Sequence, residues 1–98
     1  MQYKNDAFSM TFTEERIAEL LKTALMMFWY AETPKELDVI TFELMQLKQQ
    51  IVLREREQLL RLPKILHQQY KQAMNVYKTE LEQTLLDIKR KRKEFEIR

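Results

Sequence analysis

The chain has 98 residues, 45% hydrophobic and 33% charged, with no Cys and no Gly. That mix is too apolar for a disordered tail and too charged for a membrane segment, and the length predicts a single domain, 1–98. Without Cys there is no disulfide, thiolate metal site or Cys nucleophile, and without Gly the phosphate-cradling and dinucleotide-binding loops lose the residue they depend on.

Fourteen Leu, with many Glu, Lys, Gln and Met, are strong helix formers, so the expected fold class is all-α. The longest unbroken apolar run, Ala24 to Ala31, is eight residues, where a membrane span needs about 20. The opening "MQYKNDAF" carries no hydrophobic signal core, and a cytoplasmic location is expected.

Residues 1–12 lack a helical period. In "AFSMTF", Phe8, Met10 and Phe12 alternate onto one side, as in an extended or flexible N-terminal arm. Helix 1 is expected over 13–31. Thr13 as its cap would place Phe12 and Ile17 as a hydrophobic staple, whereas Thr11 as cap would make a capping box with Glu14. Its apolar stripe is Ile17, Leu20/Leu21, Ala24, Phe28 and Ala31.

"TPKE" is a helix start with two independent signals. Thr33 and Glu36 form a capping box, and Pro34 falls where its missing donor is not needed. Helix 2 is expected over 34–62, with the stripe Leu37, Ile40, Leu44, Leu47 and Ile51. Helix 3 is expected over 64–95, with Leu66, Tyr70, Ala73, Tyr77, Leu81, Leu85 or Thr84, Ile88 and Phe95.

Pro63 divides two architectures. In one it turns the chain, giving a long antiparallel helix pair with helix 1 packed against it. In the other it only kinks one rod about 95 Å long, and an intertwined dimer must then cover the stripe. Similar helix lengths support the first. "LRLPKIL" has no Asn, Asp, Ser or Gly to make a turn, and the apolar phase runs on across it, which supports the second.

Catalysis finds little support. There is one His, His67, and one Ser, Ser9, with no nucleophile–base–orienter set. Lys64 stands three before His67, where helical metal sites use Glu, so no metal or cofactor is expected; His67 reads as a helix-flank residue. Alternating charges in "REREQLLRLPK" (Arg54, Arg56, Arg61, Lys64) read as a solvated, mutually paired face.

Two features point to binding. In "ALMMFWYA" every face of two helical turns is apolar, although one core takes about three residues in seven. Either helices 2 and 3 enclose this end, or it is a surplus face for another chain. Leu25, Met26, Met27, Trp29 and Tyr30 are the candidate partner-binding anchors, of types common at interface hot spots. The second feature is Lys89-Arg90-Lys91-Arg92-Lys93. At about 100° per residue five consecutive cations form a collar, not a stripe. They read as a helix end suited to the negative pole of its dipole, with Arg90/Glu94 and Arg92/Glu96 pairs, and otherwise as candidate phosphate-binding residues.

The expected function is a non-catalytic helical protein–protein interaction module of adaptor, chaperone or inhibitor type, self-associating as a homodimer or binding another protein through the end of helix 1. The alternative is a nucleic-acid-binding regulator whose basic C-terminal segment grips phosphates.

Overall fold

The computed structural model describes residues 13–97. The arm expected over 1–12, the Phe12 staple and the Thr11 capping box lie outside the described residues. Three helices form, α1 (Glu14–Tyr30), α2 (Pro34–Arg61) and α3 (His67–Ile97), with a 3-10 turn at Lys64–Leu66 before the last. Among the described residues there is no strand.

Each helix starts or turns where local chemistry dictates. The Thr13 side chain accepts the Arg16 amide, and Glu14 and Glu15 occupy the first turn of α1, where the positive end of the dipole favours them. At α2 the Thr33 hydroxyl accepts the Glu36 amide at 3.3 Å. Glu36 returns to the Thr33 hydroxyl at 3.0 Å and to the Glu32 amide at 3.4 Å, not to the Thr33 amide as the capping box implies.

Between α2 and α3 the turn is made by Leu62 and Pro63, both extended (φ −81°, ψ 146° and φ −59°, ψ 148°). A proline ring pushes the preceding residue out of helical angles, so these two residues suffice without Gly or Asn. The Pro63 carbonyl accepts the Leu66 amide at 2.9 Å, opening the 3-10 turn, and His67 Nε2 donates to the Leu62 carbonyl at 2.9 Å. His67 is therefore half-buried and ties the turn, rather than lying free on the helix flank.

The core is one cluster. It holds Ile17, Leu21, Ala24 and Ala31 from α1 and the segment after it, Leu37, Ile40, Leu44, Leu47 and Ile51 from α2, and Met74, Leu81 and Ile88 from α3. Leu20, Phe28, Tyr70, Tyr77, Leu85 and Phe95 pack at its edge. In every helix the deepest positions recur at seven residues (17, 24, 31; 37, 44, 51; 74, 81, 88), the spacing that keeps one seam of side chains facing its neighbours. Two positions expected on the α3 stripe depart from it. Ala73 is exposed and Met74 is fully buried in its stead, and Leu66 is exposed beside the turn. Met74 stands four residues after Tyr70 and seven before Leu81, on the line that Leu81 and Ile88 continue, whereas Ala73 falls to one side of it; Leu66 belongs to the 3-10 turn and lies outside α3.

Charged groups stitch the helices at their flanks. Asp38 of α2 pairs with Arg92 of α3, Lys48 with Glu82 at 2.7 Å and Glu55 with Lys78 at 2.7 Å, so numbers rise along α2 as they fall along α3. The molecule measures 53 × 35 × 16 Å.

One node joins all three helices. The Tyr70 hydroxyl donates to Glu14 Oε2 at 2.5 Å, and Arg54 donates through Nε and Nη2 to the two carboxylate oxygens, each at 3.3 Å. Burial alone would raise the Glu14 pKa, but the bonds from Tyr70 and Arg54 outweigh it and hold the carboxyl below its ordinary value. Burial and the adjacent Glu14 charge push the Tyr70 hydroxyl well above its usual range. The expected solvated face of 54–64 is thus divided. Arg54 and Glu55 turn inward to Glu14 and Lys78, whereas Arg56, Arg61 and Lys64 are exposed.

Candidate interaction surface at the end of the first helix

The core stripe takes only one side of α1, so the last two turns of a wholly apolar segment must present the rest outward. Ala24 and Ala31 are buried and Phe28 half-buried, whereas Leu25, Met26, Met27, Trp29 and Tyr30 are all exposed, Trp29 to 70% and Tyr30 to 77%. Helices α2 and α3 do not enclose this end. The surplus is geometric: one helix side touches the other two helices, and the sequence supplies apolar residues on all of them.

Three of the exposed side chains line hollows on two sides of the helix. Met27 and Tyr30 face α2, where with Glu36, Val39 and Ile40 they line a depression of about 360 Å³. Met27 also borders a longer groove of about 440 Å³ between α1 and α2, reaching back to Arg16 and Leu20. Leu25 faces α3, lining with Ala18, Leu21, Tyr77 and Thr84 a hollow of about 640 Å³. Trp29 stands against Phe28, ring centroids 6.1 Å apart at 67°, an edge-to-face pair that holds the indole while leaving most of it in solvent.

The basic collar has a part in building this end. Lys91 Nζ donates to the Phe28 carbonyl at 2.6 Å and lies 4.9 Å from the Phe28 ring centroid. The last turn of α1 has no basic residue of its own, so α3 supplies the cation that the negative pole of α1 favours, together with a cation–π contact. Arg92 is engaged by Asp38, and that bond raises its pKa. Lys89, Arg90 and Lys93 are exposed, Arg90 beside Asp87 at 3.6 Å. The collar is not a helix end in the expected sense, because α3 continues through a further turn to Ile97 that holds no cation. The roles of Lys91 and Arg92 are set by which helices lie alongside, and no local signal in "KRKRK" separates them from their neighbours.

Among the described residues no group of His, Asp or Glu side chains is arranged to hold a metal ion, and no helix is long and apolar enough to cross a membrane. Comparison with protein-family models, with curated proteins and with solved structures found no match to this chain.

Proposed function

We propose that this chain is a non-catalytic, cytoplasmic helical module whose single domain binds another protein chain, a second copy included, through the open end of α1. The observation that carries this is the exposure of Leu25, Met26, Met27, Trp29 and Tyr30 together on a helix end fixed from beneath by the buried Ala24 and Ala31 and the Lys91 contacts. Interface hot spots are built from large, rigid or adaptable apolar groups on a preorganised support, and Trp, Tyr and Met are such groups. Adaptor, chaperone and inhibitor roles all use a surface of this kind. The scaffold of the proposal is an antiparallel α2/α3 pair with α1 against it. It is supported by the opposite run of residue numbers in the cross-helix ion pairs and by a longest dimension of 53 Å, against about 95 Å for a continuous rod.

Light scattering across a concentration series, with Met26→Glu and Trp29→Glu variants, tests the reading. The wild type is expected to associate with itself or with a protein captured through this end, and both substitutions are expected to abolish that association with the helical content unchanged. Association that survives both substitutions intact refutes it.

The alternative of phosphate binding is left with Lys89, Arg90 and Lys93, since Lys91 and Arg92 serve the fold. Three phosphate contacts would give a slope of about −2.7 in log affinity against log salt. An absence of DNA and RNA binding at low salt eliminates it.

A further inference from the structure

The turn between α2 and α3 carries a pattern that neither the core nor the α1 end uses. Leu60 and Ile65, on either side of Pro63, are exposed to 83% and 86%, more than Trp29 or Tyr30. Arg56, Arg61, Lys64 and Lys71 flank them, all exposed. Arg56 stands four residues before Leu60, on the same side of α2, and Arg61 and Lys64 adjoin Leu60 and Ile65 in the chain. Among the described residues no ion pair engages any of these four cations. Residues 56–71 hold them against a single acid, Glu57, a net charge of +3 in a chain of +2 overall. The turn is also held in shape, by the His67 bond to the Leu62 carbonyl and the Leu66 bond to the Pro63 carbonyl.

We infer that this turn docks on the surface of an anionic lipid bilayer. Leu60 and Ile65 enter the boundary between headgroups and acyl chains, where aliphatic side chains leave water. Arg56, Arg61, Lys64 and Lys71 stay at the level of the lipid phosphates, which their long stems allow. Among the described residues no helix can cross a membrane, and this contact requires none, because it is with the surface alone.

The combination of groups selects this partner over others. Nucleic acid would take the cations but leave Leu60 and Ile65 in water. Protein interfaces are poor in Lys, and their hot spots are poor in Leu, whereas the α1 end offers the Trp, Tyr and Met that such hot spots use. Other exposed apolar groups lack the uniform charge. Phe42 and Meth45 on α2 stand among Asp38, Glu43 and Lys48, and Ile97, exposed to 84%, follows Glu94 and Glu96.

The inference stands apart from the α1 reading, because different residues carry it. Co-sedimentation of the full chain with phosphatidylcholine vesicles, with and without roughly one lipid in four as phosphatidylserine, tests it. Binding is expected to the anionic vesicles and to weaken as salt is added. Leu60→Gln combined with Ile65→Gln is expected to weaken it about 100-fold, from about tenfold for each aliphatic side chain kept in water. Lys64→Gln and Lys71→Gln are each expected to weaken it about fivefold. All four positions are exposed, so circular dichroism should show the wild-type helicity. Three results overturn the inference: no binding to the anionic vesicles, binding that survives Leu60→Gln with Ile65→Gln undiminished, or tighter binding to a DNA duplex than to the vesicles at the same salt. Each leaves the α1 reading standing, since that rests on association between protein chains and on Met26 and Trp29.

Discussion

Tyr70→Phe removes one hydroxyl from the node that joins all three helices and leaves the ring that packs on the core edge. A hydrogen bond to a charged acceptor contributes about 1.5–3 kcal/mol when sheltered. A third of the Glu14 side chain is exposed, and solvent screening reduces the expected loss to about 1 kcal/mol at pH 7. Glu14→Gln also removes the charge that Arg54 pairs with, and is expected to cost about 2 kcal/mol. Because both variants lose the same contact, the double variant should cost less than the two single losses added.

The pH dependence has a definite sign. The folded-state pKa of Glu14 lies below its ordinary 4.5, so its contribution is complete above pH 4.5 and fades as pH falls through the folded value. Tyr70 is shifted the other way, above its ordinary 10.0, so its contribution is complete below pH 10 and is lost as pH rises through the folded value. Urea unfolding followed by circular dichroism, for wild type and variants between pH 3 and pH 7, measures this. The Tyr70→Phe midpoint should fall by about 0.5–1 M at pH 7, and its gap from the wild type should narrow as pH falls through the folded-state value of Glu14. A Tyr70→Phe protein as stable as wild type at pH 7, or single losses that simply add, would refute the idea that the three groups act as a unit.

Three further substitutions probe the supports of the fold and of the α1 end. Ile51→Ala, at a position with no solvent exposure, is expected to lower unfolding free energy by about 3 kcal/mol, read from the urea midpoint. Thr33→Ala removes the hydroxyl bonded to both the amide and the carboxylate of Glu36, and should cost about 1 kcal/mol in the same assay. Lys91→Met keeps the apolar stem but removes the cation over Phe28. A loss of about 1 kcal/mol is expected, with a change in Trp29 fluorescence because the indole leans on that ring. Unchanged stability and emission would show that α3 does not hold the α1 end in place.

The helices and their starts were legible because each rests on neighbours in sequence. Thr13 and Thr33 cap the amides three residues on, and the stripes of α1 and α2 follow the helical period without interruption. In α3 the period left Ala73 and Met74 as neighbours beside the stripe, and packing against the other helices puts Met74 in the core and leaves Ala73 exposed. The apolar excess of "ALMMFWYA" was also visible as an excess, but whether α2 and α3 would cover it was not, because coverage depends on where two other helices stop.

By itself, then, the sequence determined the all-α class, the boundaries near Thr13 and Thr33, and nearly all of the core of α1 and α2, through periodicity and capping that act within a few residues. Only the tertiary structure decided that Arg54 and Tyr70 meet Glu14, that Lys91 serves the end of α1, and that Trp29 and Phe42 stand open to solvent. Those contacts join residues 40 to 63 positions apart, and no local rule of helix geometry reaches that far.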